Sequence, residues 1–324
     1  MTIRAIITGC GNYLPEKVLT NDDLAQMVDT SDEWITQRVG IRSRHIAAEG
    51  ECTSDMGAAA ATKALQAANI KPTEVDFLIC ATTTPDKTFP ATGTQIQHKI
   101  GMAQGFAFDV QAVCSGFVYA LAVANNFIQQ GQGKTALVVG AETFSRIVDW
   151  NDRGTCVLFG DGAGAVVLQA EKGAGTVKDR GILSTHLYSD GRHSDILCTD
   201  GGASTTKTTG VVQMQGREVF RHATEKMAEV VEETLKEHNL GPEALDWFVP
   251  HQANSRIIQA TAKRANFPMD KVIMTVERHG NTSAASIPLA LAEAVDEGKI
   301  KQNQLVLLDA LGGGLTWGSA LIRW

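Results

Sequence analysis

Short apolar runs alternate along the chain with longer stretches in which apolar residues recur every three or four positions. The short runs predict buried β-strands at residues 5–8, 77–81, 136–140, 165–168, 247–249 and 305–308. The longer stretches predict helices at residues 56–68, 115–130 and 218–238. Alternation of this kind predicts an α/β fold in which helices pack against mixed sheets.

The chain also repeats its own pattern at an offset of about 170 residues. The matching positions are Asp76 and Asp246 at an offset of 170, and Cys114 with Thr282 and Leu137 with Leu305 at an offset of 168. We therefore predict a duplicated fold of two mixed-sheet halves, related by a pseudo-twofold axis and layered with helices. The Gly-rich stretch EKGAGTVKDRG predicts the boundary, giving halves 1–173 and 174–324. The alternative is chance similarity between unrelated α/β segments.

Charge and cysteine content narrow the possible functions. The 29 Lys and Arg against 36 Asp and Glu give a net charge of −7, which argues against nucleic acid or an anionic membrane as a partner. The N-terminus lacks a secretory pattern and no run approaches the ~18 apolar residues of a membrane span, so we expect a cytoplasmic protein. The six cysteines form no closely spaced pair, which predicts free thiols and no metal site.

Three polar residues follow predicted strands or precede predicted helices. Cys114 comes directly before the helix at 115–130, where the helix dipole is expected to lower its pKa and favour the thiolate. His251 follows the strand at 247–249, and Asn281 precedes the second-half counterpart of the Cys114 helix. Taken singly, Cys114 is typical of a buried structural cysteine, His251 of a hydrogen-bonded polar residue and Asn281 of a helix cap. A pseudo-twofold axis, however, would bring all three together in a Cys–His–Asn site.

The sequence resembles the β-ketoacyl-acyl-carrier-protein synthase III family in the segments DVQAVCSGF, VPHQANSRI, ERHGNTSAAS and LGGGLTWGSAL. VDTSDEWITQRVGIRSRHIA and DRGTCVLFGDGAGA extend the resemblance over nearly the whole chain. It implies a thiolase-like homodimer that condenses an acyl-CoA primer with malonyl-acyl-carrier protein to start type II fatty-acid synthesis. By resemblance Cys114 is the acylated nucleophile, and His251 and Asn281 assist decarboxylation. The resemblance implies no metal or redox cofactor. The CoA thioester takes part as a substrate.

These residue types suit that chemistry. A cysteine exchanges readily with a thioester. The backbone N–H groups of Cys114 and of the turn Gly312–Gly314, Gly314 in particular, are expected to form the oxyanion site. His251 Nε2 and the Asn281 amide would stabilise an enolate. Because an amide cannot shuttle a proton, Asn281 favours decarboxylative condensation over reversible thiolysis.

The resemblance also implies where the two substrates bind. The positions that match the CoA site are Trp34, Arg38, Arg153, Gly216, Phe220 and Asn254. Val39 departs from the family, which often has threonine there. Carrier protein is acidic, so we expect it to dock on the basic segment after His251, joined by Arg221 from the preceding helix. The predicted docking residues are Gln252, Ala253, Asn254, Ser255, Arg256, Lys263 and Arg264.

Primer length depends on Phe89 in this interpretation. In the family the matching loop reaches the acyl pocket of the partner subunit, where a phenylalanine would favour acetyl and propionyl primers. The alternative for Phe89 is packing at the interface alone. Two other functions stay open: a secondary-metabolite or branched-primer synthase on the same scaffold, and an inactive acyl-binding paralogue. The intact Cys114, His251 and Asn281 weigh against the paralogue.

Overall fold

A computed structural model of the protein describes residues 2–324. The strands are β1 (Thr2–Tyr13), β2 (Lys17–Thr20), β3 (Ser43–Ile46), β4 (Phe77–Ala81), β5 (Phe106–Val110), β6 (Thr135–Glu142), β7 (Gly162–Gly173), β8 (Gly181–Ser189), β9 (Leu197–Thr199), β10 (Val212–Met214), β11 (Trp247–Pro250), β12 (Leu305–Gly312) and β13 (Thr316–Arg323). The α-helices are α1 (Asn21–Ala25), α2 (Asp32–Val39), α3 (Thr53–Ala68), α4 (Thr92–Lys99), α5 (Gly116–Gln129), α6 (Arg153–Cys156), α7 (Gly216–Glu237), α8 (Ser255–Arg264), α9 (Val276–His279) and α10 (Ser286–Asp296).

The strands form two large mixed sheets. One has the order β1-β7-β6-β4-β5, in which β4 runs parallel to both β5 and β6. The other has the order β11-β12-β13-β8, in which β11 runs parallel to β12. The pairs β2–β3 and β9–β10 form separate two-stranded sheets. The α/β fold with mixed sheets is therefore confirmed.

Helices α5 and α10 lie between the two sheets. Their apolar side chains share one core with the inner faces of both sheets; this core includes Ile79, Phe117, Leu121, Val138, Ile287, Leu291, Val306 and Leu308. Helix α3 covers the outer face of the five-stranded sheet. Helices α7 and α8 cover the outer face of the four-stranded sheet. The layering explains why the sequences of α5 and α10 are apolar nearly all round, whereas α7 and α8 are amphipathic.

The duplication is visible in matching backbone detail. Strands β6 and β12 lie 170 residues apart at both ends, and Asn69 and Asn239 both adopt left-handed conformations, with φ of 55° and 53°. Asp76 accepts a hydrogen bond from the N–H of Thr135, and Asp246 accepts one from that of Leu305. The offset of 168 predicted for the pairs Cys114–Thr282 and Leu137–Leu305 is therefore two residues too small. Strand β6 begins at Thr135, two residues before the Leu137 that the repeat aligned with Leu305.

The predicted elements are present, and most strands are longer than predicted. Strand β4 has the predicted bounds, whereas β1, β7 and β12 continue through glycine and polar residues. Hydrogen bonds to neighbouring strands support these ends, and a strand's own sequence does not reveal them. The sheets draw their strands from residues 2–173 and 181–323. The domain boundary at 173 stays a prediction.

Two further properties concern the described chain, residues 2–324. All six cysteines are unpaired thiols. No helix in this range combines the length and the apolar character that a membrane crossing requires. The cytoplasmic location stays a prediction.

Candidate active site

A cavity of about 950 Å³ opens at the end of the molecule where β4, β6, β11 and β12 finish. Cys114, His251 and Asn281 all line it. They come from three separate segments: the turn before α5, the residue after β11, and the turn between α9 and α10. The fold thus brings together the three residues that the sequence predicts to share a site.

Cys114 lies in a short 3₁₀ turn, Val113–Ser115, that leads directly into α5. Val113 has a φ of 47°, and Ser283 at the start of the equivalent turn has 49°. The two turns contact each other across the pseudo-twofold axis. An offset of 170 therefore pairs Cys114 with Ala284, which places Asn281 just before the counterpart of the nucleophile turn.

The lowered pKa expected for Cys114 is wrong for the free protein. Burial raises the pKa of this thiol from 9.0 to about 12, and the Glu142 carboxylate adds to the rise. The Ser283 hydroxyl and the backbone N–H act in the opposite direction, as the helix end does, but they do not outweigh burial. Cys114 is therefore a neutral thiol before substrate arrives.

Gly312 lies directly against the backbone of Cys114. A Cβ atom at Gly312 would come within 2.6 Å of the Cys114 nitrogen and 3.0 Å of the Ser115 nitrogen, so only glycine fits there. A Cβ at Gly314 would instead approach Thr316. The structure thus places Gly312 against the backbone nitrogen of Cys114. The role of Gly314 as an oxyanion donor stays a prediction.

His251 is buried, and its Nδ1 atom lies 2.6 Å from the Ser286 hydroxyl at the start of α10. Burial lowers its pKa from 6.5 to about 3, so the imidazole is neutral at physiological pH. Asn281 is oriented by its neighbour, because its Oδ1 accepts a hydrogen bond of 2.9 Å from the Ser283 N–H. The amide NH₂ of Asn281 is therefore left as a donor.

The backbone of Asn281 is held by the neighbouring segment of the first half. Its N–H donates to Leu158 O at 2.8 Å, and its carbonyl accepts from Gly160 N at 3.0 Å. The buried Arg44 braces this segment, because its guanidinium donates to Val157 O at 2.8 Å. Main-chain pairing therefore fixes Asn281 more firmly than a free loop would.

The outer part of the cavity is aromatic and cationic. Two guanidinium groups lie over the Trp34 ring, with Arg38 at 5.1 Å and Arg153 at 4.8 Å from its centre. The other predicted CoA-site positions, Gly216, Phe220 and Asn254, also line the cavity, as does Val39. Arg217 and Arg256 add two further cations. Arg217 was not among the predicted CoA residues, since a lone arginine at a helix start carries no distinctive signal.

Helix α8 presents its basic residues to solvent. Arg256, Lys263 and Arg264 are exposed, and Asn254 caps the helix by accepting a hydrogen bond from Ile257 N. Ala253 and Ser255 are partly exposed beside them. These positions are consistent with a docking surface, which stays a prediction, whereas Arg221 pairs with Glu218 on α7.

Gln252 is not available to a docking protein, so its predicted role in carrier binding is wrong. The side chain is fully buried. Its Nε2 donates to Pro250 O and Ile273 O, and its Oε1 accepts from the N–H groups of Thr275 and Val276. Gln252 instead ties Pro250, the residue before His251, to the backbone of residues 273–276.

Phe89 lies on the surface of the chain and does not line its cavity. It is 83% exposed in the loop between β4 and α4. Asp86 anchors this loop, because its carboxylate accepts from both the N–H and the hydroxyl of Ser54. A role in the acyl pocket therefore requires Phe89 to reach a second subunit, and it stays a prediction.

Sequence reasoning missed three residues that surround the site: Glu142, Ser283 and Ser286. Glu142 is fully buried at the end of β6, and burial raises its pKa to about 7 despite donors from Thr83 and Thr84. Ser283 and Ser286 stand in the SAAS segment, where serines predict only helix capping. Within residues 2–324 no group of three His, Cys, Asp or Glu side chains is arranged to hold a metal ion.

The duplicated fold, with a cysteine at the head of a central helix, defines a thiolase-like condensing enzyme, which is an acyltransferase. Residues 108–191 match the family model 3-Oxoacyl-acyl-carrier-protein (ACP) synthase III, and residues 235–324 match 3-Oxoacyl-acyl-carrier-protein (ACP) synthase III C terminal. The beta-ketoacyl-acyl-carrier-protein synthase III of Paramagnetospirillum magneticum is 66% identical over 323 residues, which cover 100% of both chains. The chain therefore belongs to the β-ketoacyl-acyl-carrier-protein synthase III family, as its motifs predict.

Solved structures agree with this assignment. The 3-oxoacyl-acyl-carrier-protein synthase III of Aquifex aeolicus is 48% identical, with a TM-score of 0.93 over 99% of this chain and 100% of that chain. The priming β-ketosynthase of the R1128 polyketide biosynthetic pathway is 32% identical, also with a TM-score of 0.93, over 99% and 96% of the two chains. The thiolase-like fold is thus confirmed.

Proposed function

We propose that this protein starts type II fatty-acid synthesis by condensing a short acyl-CoA with malonyl-acyl-carrier protein. The observation that carries the proposal is the single cavity shared by Cys114, His251 and Asn281 below a cationic, aromatic mouth. This mouth gives a thioester carbonyl a route to the cysteine. The products are β-ketoacyl-carrier protein, CoA and CO₂.

The first step transfers the primer. The Cys114 sulfur attacks the acyl-CoA carbonyl, the C–S bond to CoA breaks, and the proton lost from Cys114 appears on the CoA thiol. Because residue 312 is glycine, it places no side chain against the Cys114 nitrogen, which supports the Cys114 N–H as a donor to the tetrahedral oxyanion. CoA leaves, and the acyl group stays on Cys114.

The second step is decarboxylation followed by condensation. The malonyl C–C bond breaks, CO₂ departs, and the electron pair moves onto the thioester oxygen as an enolate. Neutral His251 and the Asn281 NH₂ are suited to donate hydrogen bonds to this oxygen. The enolate carbon then attacks the acyl group, the Cys114 thiolate leaves, and it takes a proton from solvent. These steps balance without a metal or redox cofactor.

The mouth of the cavity supports CoA as the primer donor. A flat indole with two guanidinium groups close to it suits an adenine ring and phosphates, and Arg217 and Arg256 extend the positive field. The protein carries a net charge of −7, so this cluster is a local exception that attracts anionic substrates. The exposed cations of α8 start at the same mouth, which supports it as the docking surface for an acidic carrier protein.

We also propose that the protein is a homodimer. Strand β5 forms one edge of the five-stranded sheet, and its first residue, Phe106, is 41% exposed. An apolar edge strand invites pairing with another chain. The exposed Phe89 follows β4, the neighbour of β5 in the sheet. Pairing of two β5 strands would cover this edge and bury Phe106.

The decisive experiment separates the two half-reactions. Wild-type protein incubated with acetyl-CoA should gain one acetyl group by mass spectrometry, and Cys114→Ala should gain none. His251→Ala and Asn281→Ala should still be acetylated, but release of labelled CO₂ from malonyl-acyl-carrier protein should fall by ~10²–10³. Cys52→Ser is the matched control, because Cys52 also begins a helix but lies outside the cavity.

Two outcomes would contradict the proposal. An adduct that persists in Cys114→Ala would place the nucleophile elsewhere. Equal loss of acetylation and CO₂ release in the His251 and Asn281 variants would remove the separation of roles. Rates with acetyl-, isobutyryl- and octanoyl-CoA then distinguish the fatty-acid initiator from a branched-primer or secondary-metabolite synthase on the same fold.

A further inference from the structure

The imidazole of His251 has one hydrogen-bond partner in the described chain. Its Nδ1 atom lies 2.6 Å from Ser286 Oγ, and no other hydrogen bond of the ring occurs within residues 2–324. Both residues are buried. Whether Nδ1 carries a proton therefore depends on the Ser286 hydroxyl.

The hydrogen-bonding capacity of Ser286 settles which atom carries the proton. Its Oγ already accepts a hydrogen bond from Gln252 N at 3.3 Å. In the described chain its own proton meets no acceptor except His251 Nδ1. If Nδ1 carried a proton, the buried hydroxyl would have nowhere to donate, which is costly. The favoured arrangement is therefore Oγ–H donating to Nδ1, with the ring proton on Nε2.

Both partners are held rigidly enough to keep this arrangement. Ser286 is the first residue of α10, and the positive end of that helix disfavours an imidazolium beside it. Gln252, next to His251 in the chain, ties Pro250 to the backbone of residues 273–276 through four hydrogen bonds. A neutral ring has a single N–H, so its tautomer decides whether the cavity receives a donor or an acceptor.

We propose that Ser286 is a positioning residue that fixes the Nε2–H tautomer of His251 and so directs its donor to the developing enolate. The proposal rests on the function proposed above and adds the residue that makes His251 a donor. Acylation of Cys114 needs no donor from His251, so Ser286 should affect only the second half-reaction.

The kinetic test uses Ser286→Ala and Ser286→Thr. In Ser286→Ala we expect CO₂ release from malonyl-acyl-carrier protein to fall at least about tenfold, as for a weakened oxyanion donor. Acetylation of Cys114 should stay within about twofold of wild type, because a general folding defect alone would lower both rates. Ser286→Thr keeps the hydroxyl and should restore most CO₂ release. Ser319→Ala is the matched control: this buried serine lies 3.4 Å from His186 Nδ1, outside the cavity, and its loss should change neither rate.

The structural test measures the tautomer directly. In the wild-type protein with ¹⁵N-labelled histidine, NMR of the imidazole nitrogens should show His251 protonated at Nε2, assigned by its loss in His251→Ala. In Ser286→Ala the Nδ1–H form should appear.

A wild-type ring protonated at Nδ1, or unchanged CO₂ release in Ser286→Ala, would overturn the proposal. If wild type released no CO₂ at all, the proposed function would fail, while the NMR result would still decide the tautomer. If Ser286→Ala does not fold, the wild-type spectrum and Ser286→Thr decide the question.

Discussion

At the scale of the residue, two opposing effects act on Cys114. Interaction with a helix end contributes about 0.3–1 kcal/mol at the surface and up to about 2 kcal/mol when partly buried. The rise of its pKa from 9.0 to about 12 corresponds to roughly 4 kcal/mol against the thiolate. Burial therefore wins in the free protein. The nucleophile is protected from oxidation and from stray electrophiles until a thioester enters the cavity.

This balance predicts the pH dependence of Cys114 reactivity. Because a raised pKa leaves only a small thiolate fraction, the rate of alkylation by iodoacetamide should rise about tenfold per pH unit from pH 6 to beyond pH 9. Mass spectrometry of the Cys114 peptide measures the rate, and Cys114→Ala gives the background from other thiols. A plateau near pH 7 would instead indicate a stabilised thiolate.

At the scale of the element, Glu142 ties the end of β6 to two other segments. Its carboxylate accepts from the N–H groups of Thr83 and Thr84 and from the Thr84 hydroxyl at 2.6 Å, directly after β4. The turn Ser283–Ala285 of the second half packs against β6, and its donors act to lower the pKa of Glu142. A buried acid thus joins the two halves beside the active site. The same acid makes the stability of this junction sensitive to pH.

Folding raises the Glu142 pKa from 4.5 to about 7, so the folded protein retains this proton at a higher pH than the unfolded chain does. The stability that the neutral acid contributes is present below pH 4.5 and is lost as pH rises to 7. We expect the melting temperature to fall over this range and the fall to be smaller in Glu142→Gln. Exposed Glu49→Gln serves as the control. An equal slope in wild type and Glu142→Gln would show that Glu142 does not titrate there.

Helix α8 carries the next prediction. Lys263 lies seven residues, or about 10 Å along the axis, beyond Arg256, so it is farther from the CoA mouth. Charge reversal in Lys263→Glu with Arg264→Glu should raise KM for malonyl-acyl-carrier protein several-fold and leave KM for acetyl-CoA unchanged. The wild-type KM should also rise with salt, because screening weakens encounter between charged surfaces.

Two comparisons sharpen that experiment. Arg256→Glu should affect both substrates, because Arg256 also lines the cavity. Lys178→Glu is the matched control, since Lys178 follows the end of β7 that lies beside the start of β6, away from the site. Salt-insensitive kinetics or an unchanged KM in the double variant would move docking to another surface.

At the scale of the whole molecule, the duplication made the site predictable from sequence. The repeat related the Cys114 turn to the segment after Asn281. The sequence alone therefore predicted that Cys114 from the first half and Asn281 from the second lie close together. Ser286 and Glu142 could not be found in this way, because their importance lies in contacts between segments rather than in any local motif. The burial of Gln252 was likewise hidden, since a polar residue beside a basic helix resembles a surface residue until its four hydrogen bonds are known.

The last prediction concerns primer length, which depends on the assembled protein. Phe89 is 83% exposed and does not line its own cavity, so any effect on primer choice must act through Phe89 of the partner subunit. If its ring closes that pocket, Phe89→Ala should open space for added methylenes, each worth ~0.8 kcal/mol when buried. The ratio of kcat/KM for butyryl-CoA to that for acetyl-CoA should then rise about fourfold or more for each methylene accommodated. Light scattering must show that the variant keeps the oligomeric state of the wild type, and Met269→Ala, another exposed apolar residue outside the cavity, should leave primer preference unchanged. A variant that keeps its acetyl preference, or that dissociates into monomers, would mean that Phe89 packs the interface and does not set the primer length.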